Sequence, residues 1–575
     1  MLEPVSVKIQ APFFCVLYFF YYLCVQMKNG VTHKCFNWKM LLTIVFGIVV
    51  FCWWGLMKPH VLSYQEQYQL FIWTSDYFAE RLTVAGGLAD WLGEFVTQFY
   101  YIPWLGGCLL ALLYMLFQRL LATCLSHDAY LLSFIPPVLL FWFMGDLNVL
   151  VSYPIAIIIV LFLASFHIRG KWSSLLFELS VVPVAYWFIG PMVWLYVGLR
   201  LISDYKRNFW IPLWLCTVQL ALWYTILEQW PLQSVMLSMG YYRNPTIQPL
   251  LWIIPLTVLC LVLLDKPYII NKVMKMPVQA VCVLLLGWLG YSHGYDADYE
   301  ELVWQDYQIR NEKWDDIIKR AENRTVESAF WSNSVNLALA EKRQLADRMF
   351  DFYQSGTNAL LMNSVRNSFS NLPTAEAFYR LGMINSAQRY MFDMQESINN
   401  VKKSGRFTKR IAECYIINGK YDLARKHLHL LKYSLFYSSW AKDAEQYLGQ
   451  EEKINSHPVW GRLRQLRTKE EGLYSYQQMS PILGGLFLAN KSNTMALDYF
   501  VGMLLLYGDA PKFQQVLPWV EKYGGYSQMP RGYQDALICA QRQGNVPGSP
   551  YAAFIRRMLA EVQKQENSNA YETAH

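Results

Sequence analysis

Three carboxylates, Glu66, Asp76 and Glu80, fall within the stretch SYQEQYQLFIWTSDYFAER (63–81), which lies between two long apolar runs. A carboxylate at such a place can take the proton from an attacking hydroxyl, and a guanidinium can take up the charge of a leaving phosphate. Glu66 is the first candidate base and Asp76 the second. Arg243, in MGYYRNPT, is the candidate phosphate partner, because its planar fork matches phosphate oxygens. Asp146 and Asn148, in the polar break GDLN, would supply a further polar contact. Each group also has a plainer reading. The acids keep an outward loop negative, Arg243 anchors lipid headgroups, and Asp146 is a turn residue. Among cofactors, use of a divalent metal stays open. No Walker-type GxxxxGK[ST], HExxH, GxSxG or metal-spaced His cluster occurs, so a nucleotide cofactor has no motif to hold it.

The elements that must position these groups are membrane helices. The chain is 54% hydrophobic and 16% charged, against about 45–50% and 25% in soluble proteins. The apolar runs fill 12–292, and the chain is polar from about His293 onward. A span needs roughly 20 apolar residues. The candidates are 40–57, 102–121, 130–146, 148–166, 209–228, 249–264 and 277–292, with 174–203 read as two short helices turning at Gly190-Pro191. About nine spans follow. With nine, the basic clusters at Lys28/Lys34/Lys39, Arg169/Lys171, Arg200/Lys206/Arg207 and Lys266/Lys272/Lys275 all fall on one side, as the positive-inside bias requires. Glu178, inside a short span, is expected to snorkel or to pair with Lys171. Residues 12–26 form a short apolar run in an N-terminal segment, 1–39, expected to be cytoplasmic; the run fits a partial span, an interfacial segment or sequence ahead of a start at Met27. The net charge of +7 is explained by these segment ends, so no nucleic-acid partner is implied. Nine of the 11 Cys lie before residue 293 and behave as small hydrophobes there.

The loop 58–101 is expected to carry helices of its own. Leu88, Trp91, Leu92, Phe95 and Phe99 form one stripe, with Asp90, Glu94 and Thr97 opposite. That helix should lie flat at the membrane surface, polar side to water. An earlier helix is expected to carry Tyr68, Ile72 and Phe78.

From 293 to 565 the pattern is helical. ECYIINGKYDLA carries Gly419, Tyr421 and Ala424 at G-x-Y-x-x-A spacing, with weaker copies at Gly382/Ile384/Ala387, Trp314/Ile317 and Phe513/Val516. This resembles the tetratricopeptide repeat, which implies an α-solenoid of helical hairpins and protein partners bound through it. Residues 566–575 read as a frayed tail. The expected fold class is therefore all-α: a polytopic helix bundle followed by a tetratricopeptide-like solenoid.

The order of first span, acidic outward loop 58–101, further spans and extracytoplasmic domain resembles the membrane-embedded glycosyltransferases of the GT-C fold. The segment SYQEQYQLF looks like that family's opening motif and nominates Glu66. The resemblance implies transfer of a sugar from a polyprenyl-phosphate donor at the outer face of a bacterial-type inner membrane, with the N-terminus cytoplasmic and the C-terminal domain periplasmic. The family's common acid pair is absent, since Gln65 and Gln67 flank Glu66. Two other functions compete: a non-catalytic scaffold for envelope assembly or secretion, and a transporter of a small molecule or lipid.

Overall fold

The computed structural model describes residues 38–166, 168, 170–237, 248–265, 276–293, 296–398, 402–468, 479–542 and 546–573. Arg243, the run 12–26 and Arg169 lie outside them. The described residues are mostly helical, with no strand among them. The chain divides into two compact units, Met1–Asp296 and Ala297–His575, a few residues beyond the composition break.

The first unit contains α1 (Trp38–Phe51), α2 (Pro59–Gln67), α3 (Ser75–Arg81), α4 (Gly87–Thr97), α5 (Pro103–Cys124), α6 (Ile135–Phe143), α7 (Ser152–Ala164), α8 (Lys171–Ile189), α9 (Val193–Ser203), α10 (Ile211–Thr225), α11 (Ile253–Asp265) and α12 (Met276–His293). Prolines at the first positions of α2 and α5 start those helices where a backbone N–H would lack a partner. Among the described residues, three helical stretches can cross a membrane by length and composition: Trp38–Met57, Pro103–Cys124 and Lys171–Ser203. The expected count of about nine is therefore not carried by nine full-length helices.

The third stretch is a hairpin. Glu178 Oε1 accepts from Arg200 Nε at 2.6 Å, and Glu178 Oε2 from the Tyr196 hydroxyl at 2.7 Å. A straight helix would hold residues 178 and 200 about 33 Å apart. The chain folds back at Gly190, whose φ of 64° favours glycine, followed by Pro191 in a 3-10 turn. The sequence expectation of two helices is met, but the partner of Glu178 is Arg200 rather than Lys171 or the membrane edge. At 1% and 9% side-chain exposure, the pair satisfies itself where water is absent.

Hydrogen bonds gather the segment ends at two poles. At one, the Tyr130 hydroxyl donates to Lys39 O at 2.7 Å, Ser126 N to Asp265 Oδ2 at 2.5 Å and Gln279 Nε2 to Asp128 O at 3.0 Å. Arg200 Nη1 and Arg207 Nη2 reach Phe166 O and Gly170 O, which brings two of the basic clusters to one end of α8 and α9. At the other pole, Gln65 Nε2 donates to Val149 O at 3.3 Å, Gly86 N to Trp187 O at 2.8 Å, and the Tyr186 and Tyr153 hydroxyls to Val235 O and Leu251 O.

In the second unit, α13 (Ala297–Arg310), α14 (Trp314–Ala321), α15 (Ala329–Glu341), α16 (Leu372–Leu381), α17 (Ile384–Glu396), α18 (Gly405–Ile417), α19 (Tyr421–Lys432), α20 (Ser438–Glu445), α21 (Trp460–Leu466), α22 (Met479–Ala489), α23 (Thr494–Tyr507), α24 (Ala510–Tyr523), α25 (Arg531–Gln541) and α26 (Pro550–Thr573) largely pack on their chain neighbours. The repeat residues sit where hairpins turn. Gly382 and Gly419 follow α16 and α18 with φ of 86° and 72°, the left-handed cap that glycine supplies most easily. Ala387 and Ala424, on the returning helices, are fully buried. Helical backbone continues to Thr573, through most of the stretch expected to be a tail.

Asp498 on α23 is 2% exposed, and the Tyr526 hydroxyl donates to one of its oxygens at 2.6 Å. Burial raises its carboxyl to about 7, with Tyr526 and Arg343 offsetting only part of that rise. Folding thus favours the neutral acid. Its contribution is full below the ordinary value of about 4, declines as pH rises, and is lost above about pH 7. Asp498→Asn should melt with the wild type near pH 4 and several degrees above it at pH 8. An unchanged pH slope would count against this reading.

Candidate functional site

The acidic loop folds into a buried polar layer. Every residue of α2 from His60 to Gln67 is buried, and Glu66 is 4% exposed. Gln65, Gln67 and Gln69 are at 1–2%. Burying four polar side chains within the five residues 65–69 is costly unless they bond to the protein or to a ligand. Gln65 ties α2 to the 145–150 turn through Val149 O. Gln65 Oε1 and Gln69 Nε2 have no hydrogen-bond partner among the described residues.

The sequence-nominated residues separate here. Glu66 and the Asp146–Asn148 turn belong to adjoining elements at one pole. Asp146 Oδ1 accepts from Asn148 N at 2.9 Å and from Asn148 Nδ2 at 3.3 Å, which is the turn-forming role. Asp76 does not join them. It is exposed in the first turn of α3, with the Ser75 hydroxyl 3.5 Å from its carboxylate. Arg243 lies outside the described residues.

The sequence reading missed three residues that lock this layer. Glu94, 1% exposed, accepts from the Tyr77 hydroxyl and from Arg81 Nε at 3.2 Å. Arg81 also donates to the Tyr77 hydroxyl at 3.0 Å and lies 4.7 Å from the centre of its ring. Burial, then the Glu94 carboxylate, push the Tyr77 hydroxyl well above its ordinary value, so it stays a donor. Burial alone would lower Arg81, but Glu94 and Tyr77 outweigh it and raise it. The signal was available: Arg81 is one of two Lys or Arg residues in 58–101.

The expected orientation of α4 is also corrected. Its polar and small residues Asp90, Gly93, Glu94 and Thr97 are buried, on the side that packs on α7 and α8. Trp91, Leu92 and Phe95 are half-buried on the outer side, and Trp73, 64% exposed, joins Trp91 and Phe95 there. The polar face of α4 therefore turns into the protein and its apolar stripe turns outward. The earlier helix ends at Gln67, so Tyr68 and Ile72 lie outside it and Phe78 belongs to α3. A Cβ on Gly93 would stand 2.7 Å from Ser152 N. Gly93→Ala should therefore push α4 from α7 and cost about 1–3 kcal/mol. A melting curve in detergent checks this, and an unshifted midpoint would contradict it.

Among the described residues no group of three His, Cys, Asp or Glu is placed to hold a metal ion. A family described as one of unknown function (DUF6057) matches residues 34–563. The chain belongs to that family. The DUF6057 match covers nearly all of both units, so the polar layer and the helical second unit occur together within it. No curated protein and no solved structure matches the chain.

Proposed function

We propose that this protein transfers a sugar from a polyprenyl-phosphate donor at the pole that carries Glu66. The observation behind this reading is the carboxylate itself: a glutamate at 4% exposure, on a helix buried along its length, beside three buried glutamines. An ionisable group inside a membrane unit is expensive and marks a site by default. Glu66 takes the acceptor's proton, the glutamines orient hydroxyls, and Arg243 receives the phosphate charge. Nine crossings are part of the proposal, with the shorter helices passing between the two poles and the basic clusters facing the cytoplasm. The second unit is then extracytoplasmic, as a tetratricopeptide-like solenoid.

The test uses the full chain in nanodiscs with polyprenyl-phosphate mannose, glucose, galactose and arabinose. Release of polyprenyl phosphate with an acceptor glycan supports the proposal. Stable, folded protein that consumes none of the four contradicts it. A second reading, the membrane-anchored scaffold, draws on a cavity of about 530 Å³ in the second unit. Recovery of a membrane complex that depends on 297–573 favours it, and a solitary monomer counts against it.

A further inference from the structure

Residues 524–530, GGYSQMP, connect α24 to α25 without regular structure and lie against α23. Among the described residues, no backbone group from Gly525 to Met529 bonds to another backbone group. Side chains tether the segment instead. The Tyr526 hydroxyl donates to Asp498 Oδ1 at 2.6 Å, Gln534 Nε2 to Met529 O at 2.7 Å, and Arg343 Nη2 to Gly524 O. Arg343 also donates to the Thr494 hydroxyl, and its guanidinium lies 5.4 Å from the centre of the Tyr526 ring. It follows α15 with φ of 59°, a position that glycine fills more easily. Glycine there would have no side chain to hold the segment. Gly524-Gly525, with Gly525 at φ of 70°, gives a hinge at one end, and Pro530 stiffens the other.

The buried acid beneath is poorly equipped to carry a charge. Asp498 Oδ1 has the bond from Tyr526, and Oδ2 has no partner among the described residues. The groups that act on it come from each neighbouring element: Tyr526 on the connecting segment, Arg343 after α15, Asp347 on the helix Leu345–Arg348 and Tyr533 on α25. Burial first, then Asp498, hold the Tyr526 and Tyr533 hydroxyls above their ordinary value, so neither loses its proton near neutrality. Asp347, whose Oδ1 accepts from Arg531 N at 2.8 Å, opposes a charge on Asp498, and Arg343 favours one. A carboxylate buried with one hydrogen bond is costly. Water can reach it without breaking a helix if the 524–530 segment swings away.

We propose that residues 524–530 are a pH-dependent strap, closed over Asp498 while that acid is protonated and opening to admit water when it ionises. The closed strap holds the proton more tightly than the open one, whose acid titrates near its ordinary value of about 4. Closure is therefore fully favoured below about pH 4 and weakens as pH rises. The change levels off above about pH 7, where the closed acid ionises as well. The experiment digests the full chain in nanodiscs with chymotrypsin and reads cleavage after Tyr526 by mass spectrometry. Each rate is divided by that of the denatured chain at the same pH, so that it follows the open population. The wild-type rate should rise about tenfold from pH 6 to pH 8. Asp498→Asn, which cannot ionise, should give the same rate at both. Tyr526→Phe keeps the cleavage site but loses the tether, and at pH 6 it should be cut about 5-fold faster than the wild type. Cleavage after Tyr499 and Phe500, inside α23, should stay slow throughout. Four results would overturn the proposal: a wild-type rate flat with pH, an equal rise in Asp498→Asn, no faster cleavage in Tyr526→Phe, or α23 sites that open together with the strap.

Discussion

Glu66→Gln should abolish sugar transfer, lowering turnover by about 100- to 10,000-fold, the usual worth of a positioned general base. The substitution keeps shape and hydrogen-bonding capacity but removes the proton acceptor. Because Glu66 is buried on α2 among glutamines, the variant should insert and melt like the wild type. Substrate binding should change little, so the loss should appear in kcat rather than KM. Asp76→Asn should keep near-full activity, since Asp76 is exposed on α3. Full activity in Glu66→Gln, with protein present at normal levels, would remove the catalytic reading. Loss in both variants together would make the exposed acid part of the site.

The second large effect concerns the hairpin. Removing one member of the Glu178–Arg200 pair, as Glu178→Ala or Arg200→Ala, should cost about 3–5 kcal/mol, because a buried charge is left without its partner. The Tyr196 hydroxyl would lose its acceptor in the first variant. Replacing both by leucine should recover most of that loss. A denaturation series in detergent separates these outcomes. Single variants within about 1 kcal/mol of the wild type would show that the pair does not hold α8 against α9.

The hairpin was legible because Gly190-Pro191 broke an apolar run too long for one span, and conformational signals of that kind are local. The repeat turns at Gly382 and Gly419 were legible for the same reason. The partner of Glu178 was not, since Lys171 lies two turns away on the same helix and the turn alone does not set the register that brings Arg200 to Glu178. The orientation of α4 was misread through its periodicity. A stripe shows that two faces differ, but lipid outside and a polar interior inside reverse which face is exposed. Glu94 was given to water on that basis, although Tyr77 and Arg81 bury it. Asp76 and Glu66 are both carboxylates of one loop, and only the packing of α2 separates them.

The account stands on one compartment holding both the acidic loop and the second unit. Alkaline phosphatase and green fluorescent protein, fused in turn after Thr83 and after His575, read that directly. The account predicts phosphatase activity and no fluorescence at both positions. Fluorescence at either one would place it in the cytoplasm, and the nine crossings, the outward site and the outward second unit would fall together.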